Sequence, residues 1–129
     1  MAEGIIKVRS EKNFDAVLGS VLDSIRGRGI KIFGIIDHRK NAEEAGMELG
    51  NSTLVIFGNP KAGTKLMQDS IGISIDLPMR ILVSGADGDV TVSYYNPLYL
   101  AKRHDLKDSL DAINSISGLM YDIAKEAKA

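Results

Sequence analysis

Two strand-like segments separated by a tight-turn signal constrain the fold of this chain most strongly. Residues 79–84 are mostly apolar, and residues 90–95 alternate apolar and polar side chains. Asp87 and Gly88 stand between them, and this pair is favoured in the two-residue turns of β-hairpins. Because a hairpin joins antiparallel neighbours, we expect an antiparallel sheet in at least this half of the chain.

The first half of the chain contains three further strand candidates. Residues 5–9, 30–36 and 53–57 are short apolar runs that are rich in β-branched side chains. Residues 72–78 are expected to be extended or looped, because Pro78 disfavours helical conformation at the residue before it. The sequence therefore predicts about five strands.

Helical patterns lie between and after these strands. The strongest covers residues 14–25, where apolar side chains recur at helical spacing and Ser10 is a candidate cap. Weaker patterns predict helices over residues 41–47, 64–69 and 97–104.

A last amphipathic helix is predicted to begin at Asp105 or Leu106. Its apolar stripe recurs at alternating spacings of four and three residues, through Leu106, Leu110, Ile113, Ser117, Met120 and Ala124, and is widened by Ile116, Leu119, Ile123 and Ala127. Such a helix lies across a sheet or against a partner. The order of elements predicts an α+β fold in a single domain, residues 1–129, with a mostly antiparallel sheet and helices packed on one face.

Composition argues against several classes of function. The 16 basic and 17 acidic residues nearly balance, aromatic residues make up 5% and there is no Trp, so neither a basic nucleic-acid surface nor a base-stacking platform is expected. The absence of Cys excludes disulfides, thiolate catalysis and Cys-based metal sites. No apolar run is long enough to span a bilayer, and the early Glu3 is unlike a secretory signal, so we expect a cytoplasmic protein without a membrane partner.

An ordered set of short motifs resembles the domain of unknown function 302 family. The set comprises Ile36-Asp37-His38, Ala42 with Ala45-Gly46, Phe57-Gly58-Asn59-Pro60, Gly63-Thr64, Leu66-Met67, Asp76-Leu77-Pro78 and Tyr95-Asn96-Pro97 followed by Tyr99-Leu100-Ala101 and His104. The resemblance implies a small prokaryotic protein with a curved sheet, similar in fold to the TATA-binding protein. It implies no biochemical activity, no cofactor and no catalytic residue, and the likeness in fold does not imply DNA binding.

The Gly/Pro turn after the third strand is the first candidate site. The run from Gly58 to Gly63, Thr64 and Lys65 is close to a phosphate-binding loop, but that motif requires Lys before the hydroxyl residue, and here the order is reversed. A single phosphate or a carboxylate fits better, held by the N–H groups near Gly63 and Thr64 at a helix start. The alternative is purely structural: Asn59 and Pro60 form a turn, and Gly63 or Thr64 begins the helix.

Asp37 and His38 follow the second strand and form the second candidate. His38 is the main acid/base candidate, oriented by Asp37 or Asp76, and a metal site would also need His104. No short ligand spacing supports a metal, and none is assigned. The alternative is that Asp37 or His38 caps the following turn through backbone hydrogen bonds.

Asp76 and Tyr95 complete the candidate set. Asp76 precedes a strand and is interpreted either as an acid or base at a pocket rim or as an acceptor for loop N–H groups. Tyr95 lies on the strand face opposite Tyr94 and is a candidate to stand over a pocket. The ligand-binding set is therefore Asp37, His38, Asn59, Gly63, Thr64, Asp76 and Tyr95.

Two functions follow from these patterns. If the strand-end loops meet on one side of the sheet, they form a pocket for a small anionic ligand. The alternative is a homodimeric interaction module without a small-molecule site, in which the apolar stripe of the last helix and the sheet edges are covered by a second copy.

Overall fold

The computed structural model describes residues 4–129. Residues 1–3, on which the expected absence of a secretory signal partly depends, lie outside this range. The strands are β1 (Ile5–Ser10), β2 (Lys31–Asp37), β3 (Ser52–Gly58), β4 (Met79–Ala86) and β5 (Asp89–Tyr95). The helices are α1 (Phe14–Gly27), α2 (His38–Glu44), α3 (Pro60–Asp69), α4 (Pro97–Arg103) and α5 (Leu110–Lys128), and a 3₁₀ segment covers Ile71–Asp76.

The five strands form one sheet in the order β1-β5-β4-β3-β2, and every neighbouring pair is antiparallel. The predicted hairpin joins β4 to β5, with Ala86 opposite Asp89. A bulge at Phe33 shifts the register between β2 and β3. The predicted α+β architecture with an antiparallel sheet is confirmed.

Helices α1 and α5 cover one face of this sheet. Alternate residues of the central strands point towards them, and Val55, Ile81 and Val92 are fully buried there. The predicted stripe of α5 packs into this core through Ile113, Met120, Ile123, Ala124 and Ala127. The last helix therefore covers its own sheet, and these five residues of the stripe are not available to a second copy.

Two helices begin earlier in the chain than the sequence predicts. Asp37 accepts a hydrogen bond from the Lys40 N–H (3.0 Å), so α2 starts at His38 rather than at residue 41. Asn59 accepts from the Lys61 N–H (2.9 Å), so α3 starts at Pro60 rather than at residue 64. In each case an Asx side chain satisfies an N–H of the first turn, which fixes the helix start.

Contacts distant in sequence set the other boundaries. The Phe14 N–H at the start of α1 donates to Asp87 of the hairpin (2.8 Å), so Ser10 is not its cap. Helix α5 begins at Leu110, later than predicted, because residues 107–109 turn to donate three backbone N–H groups and the Ser109 hydroxyl to Asp69. Residues 71–76 coil into the 3₁₀ segment instead of staying extended.

Candidate functional site

An open groove of about 640 Å³ lies where α3 stands beside α5 at one end of the sheet. Its walls come from the whole length of α3 up to Met67, from the end of β3 and from the groove-facing side of α5. The turn at Pro78 and the edge of β2 at Phe33 close the remaining sides.

The floor and walls of the groove are mainly apolar. Phe57 and Leu66 form a fully buried floor, and Met67, Ile116 and Leu119 stand half-buried along the walls. Phe33 remains 47% exposed at the edge. Concave, largely apolar surfaces of this volume with a few polar groups are typical of small-molecule sites.

Among residues 4–129, the charged side chains that line the groove are all cationic. Lys61 and Lys65 lie four residues apart on α3 and are exposed, and no Asp or Glu of the described range is among the lining residues. A third amine is close, because the Lys31 Nζ lies 4.9 Å from the centre of the Phe33 ring, which lines the groove. The rim therefore carries positive charge.

The backbone donors expected at the start of α3 are already occupied. The Gly63 N–H donates to the Asn59 carbonyl (3.0 Å), and the Thr64 hydroxyl donates to the Pro60 carbonyl (2.7 Å). The predicted arrangement, in which Gly63 and Thr64 offer free donors at a helix start, is wrong because the helix starts at Pro60. Asn59, Gly63 and Thr64 still line the groove, and Lys61 and Lys65 supply its charge.

Asp37 and His38 are far from this groove. In the pairing of β2 with β3, Asp37 lies opposite Thr53 while Lys31 lies opposite Gly58. The seven residues of β2 therefore separate His38 from the Asn59 turn by about 20 Å. Asp37 and His38 therefore do not share a pocket with the Asn59 turn, and Asp37 instead caps α2.

Asp76 and Tyr95 also point away from the groove. The Asp76 Oδ2 lies 2.5 Å from the His104 Nε2 and 3.9 Å from the Arg103 Nε. Asp76 therefore links the 3₁₀ segment to the end of α4. Tyr95 pairs with Ile5 on the sheet face opposite α1 and α5, and is 36% exposed there. Of the seven predicted residues, the groove brings together only Asn59, Gly63 and Thr64.

The residues considered for a metal site are not brought together. His104 meets Asp76, but His38 lies at the other end of the sheet. Within residues 4–129, no group of three or more His, Cys, Asp or Glu side chains is arranged to hold a metal ion.

The chain matches the model of one known protein family. The family model described as domain of unknown function DUF302 matches residues 6–123, which include the sheet and most of α5. The chain belongs to the DUF302 family. The resemblance carried by its sequence motifs is thus confirmed.

Two Brucella proteins are similar to most of this chain. Over 109 residues, 84% of this chain, it is 38% identical to fluoride-specific ion channel FluC 1 of Brucella suis biovar 1 (strain 1330) and to FluC 2 of Brucella melitensis biotype 1. The chain spans 43% and 40% of the lengths of those two proteins. Within residues 4–129, no helix of this chain has the length and apolar character needed to cross a membrane.

A crystal structure of a DUF302 protein from Bacillus stearothermophilus supports the fold. It superposes with a TM-score of 0.85, covers 98% of this chain and 99% of that one, and shares 12% sequence identity. At this identity the likeness establishes the fold and nothing about a ligand.

The α5 wall of the groove in this DUF302 chain is absent from the sequence-based candidate set, although a signal for it exists. Ile116 and Leu119 widen the apolar stripe of α5 beyond what one helix buries against a sheet. In the structure they lie at the edge of that stripe and line the groove. When the apolar stripe of a helix is wider than the part that packs into the core, the remaining residues indicate a second apolar surface.

One carboxylate holds the two groove helices together. Asp69, the last residue of α3, accepts hydrogen bonds from the Ser109 hydroxyl (2.6 Å) and from the N–H groups of residues 107–109 just before α5. The Ser109 hydroxyl, followed by these backbone donors, lowers the pKa of Asp69 below its ordinary value, against an opposing effect of burial. These hydrogen bonds tie the end of α3 to the segment just before α5.

Proposed function

We propose that this DUF302 chain binds a small anionic ligand in the groove between α3 and α5. The observation that carries the proposal is the lining itself, which joins apolar walls to Lys61 and Lys65 and, in the part of the chain that the structure describes, contains no acidic side chain. Asn59 also lines the groove, and because its side-chain oxygen caps α3, we expect its amide group to be the part that orients a ligand. Among the described residues the lining contains no His, Asp or Glu, and the activity that we propose is binding.

The names of the Brucella relatives concern a fluoride-specific ion channel. Because this chain spans less than half of those proteins, channel activity belongs to the whole relatives and is not proposed for it. Fluoride is nevertheless a small anion, and it therefore belongs in the ligand screen.

A thermal-shift screen with phosphate, fluoride, acetate and octanoate tests the proposal. A ligand that binds only the folded chain stabilises it by about 2.7 kcal/mol at a hundredfold excess over its Kd, which raises the melting temperature. Ser115→Trp fills the groove from α5 and should abolish the shift, whereas Asn114→Trp, on an exposed neighbouring residue outside the groove, should preserve it. No shift with any anion, or equal shifts in both variants, would remove the proposal.

A homodimeric module is a second candidate, favoured by the sheet face opposite α1 and α5. Ile36 pairs with Leu54 and Leu54 with Leu82, which gives a continuous aliphatic row across three strands on that face. We propose that a second copy covers this row. Sedimentation velocity of the wild type and of Leu82→Glu tests this proposal. A dimeric wild type together with a monomeric Leu82→Glu variant supports the module. A wild type that is monomeric at a concentration on the order of 100 µM contradicts it, because even a weak dimer would form there.

A further inference from the structure

We infer that the ligand of the groove is a single-chain amphiphile, an alkyl carboxylate whose chain lies against the apolar walls and whose head meets the lysines. This inference rests on the proposed function and adds the chemical class of the ligand. It is carried by the position of apolar surface and charge in the same groove.

The apolar surface is larger than a compact anion can use. Phe57 and Leu66 are already buried beneath the groove, so its accessible apolar surface comes from Phe33, which is 47% exposed, and from the half-buried Met67 and Leu119. Phosphate, fluoride or acetate at the rim would leave this surface in contact with water. An alkyl chain would remove it from water, and each methylene that becomes fully buried strengthens binding about fourfold.

Charge decides which head group the groove accepts. Lys61 and Lys65 stand one helical turn apart on α3 and neither is paired with an acid within residues 4–129. An anion relieves their mutual repulsion, whereas a cationic head group adds to it. The absence of acidic side chains from the described lining removes any counter-charge for a cationic amphiphile.

A second depression beside the groove restricts where the carboxylate head group of the ligand can lie. Lys65 also borders that depression, which is lined by Asp69, Asp108 and Asp111. These three carboxylates repel an anion, so the anion is disfavoured on the side of Lys65 that borders the depression. The carboxylate of the ligand is therefore expected near Lys61, with Lys65 as its second cation.

Isothermal titration at low ionic strength with butyrate, hexanoate, octanoate, octyltrimethylammonium and phosphate tests the inference. We expect the Kd to fall about two- to fourfold for each methylene from butyrate to octanoate, because the chain is partly to fully buried. Octyltrimethylammonium has the same chain with opposite charge and should bind at least about tenfold more weakly than octanoate.

Paired variants separate the head from the chain. The double variant Lys61→Gln/Lys65→Gln should weaken octanoate about three- to tenfold, since exposed ion pairs contribute modestly, and should reduce the salt dependence of the Kd. Lys7→Gln/Lys12→Gln removes the same charge from exposed positions outside the groove and should leave the Kd unchanged.

The outcomes distinguish this inference from the proposed function. Equal affinities for butyrate, octanoate and phosphate would overturn the amphiphile class while leaving a small-anion site in place. Equal affinities for octanoate and octyltrimethylammonium would overturn the role of the lysines. Binding of none of the five compounds would overturn the proposed function itself.

Discussion

The two halves of the helical layer differ in how they meet the sheet. On one side, α1 buries Val17, Val21 and Ile25 completely, and α5 buries five side chains beside it. On the other side, α3 buries only Leu66, and the groove lies between it and α5. Packing therefore holds α1 and α5, whereas α3 is also held by its capping residue Asn59 and by the hydrogen bonds to Asp69. The difference teaches that the groove is a place where the core is incomplete, which is where a ligand can supply the missing contacts.

The largest expected effect comes from removing one α5 side chain from the core and, in a second variant, one α5 side chain from the groove wall. Ile123→Ala deletes a fully buried side chain and should lower the free energy of unfolding by about 2–5 kcal/mol. Leu119→Ala, one turn earlier on the same helix, removes a half-buried wall of the groove and should cost about half as much or less. Urea denaturation measures both, and equal losses would mean that the two halves are packed alike.

A second test concerns the link between α3 and α5 and its pH dependence. Because the pKa of Asp69 is lowered in the folded chain, its stabilisation is fully present above the unfolded pKa of about 3.8 and is lost as pH falls through the lower folded value. Asp69→Asn should therefore reduce stability at pH 7, and the difference from the wild type should shrink in acid below about pH 4.

Asp108→Asn is the control for that experiment. It removes a neighbouring carboxylate and leaves the backbone N–H that donates to Asp69. If the two variants show the same stability profile between pH 2 and pH 7, the hydrogen bonds to Asp69 are not the source of the effect.

The smallest expected effect sharpens the contrast between the two ends of the sheet. His38→Ala changes an exposed residue at the end opposite the groove and should alter the free energy of unfolding by about 0.5 kcal/mol or less. The Kd for octanoate should be unchanged in calorimetry. A tenfold weaker Kd in this variant would return His38 to the binding site.

Local signals in the sequence predicted most of the fold. Alternating strand patterns and the Asp87-Gly88 turn were sufficient for the antiparallel sheet, and the Asn-Pro pair at Asn96 gave α4 nearly its observed bounds. The same pair at Asn59 starts α3, but the glycine and threonine that follow it favour a later start. The predicted start at residue 64 is wrong for that reason.

The site was less predictable because it depends on strand direction and on packing. Since β2 and β3 are antiparallel, the residues that follow them must leave at opposite ends of the sheet. Asp37 and Asn59 could be separated only once this pairing was known. The partnership of Asp76 with His104 and the gap between α3 and α5 come from contacts distant in sequence, for which no local pattern exists.

The most direct test of the groove as a ligand site is an NMR titration of the ¹³C-methyl-methionine-labelled chain with octanoate. Met67 and Met79 line the groove, whereas Met47 is 67% exposed outside it and Met120 is fully buried in the core. We predict that the methyl signals of Met67 and Met79 shift in a saturable way while that of Met47 does not move. Shifts confined to Met47, or no saturable shift at Met67 and Met79, would contradict the account.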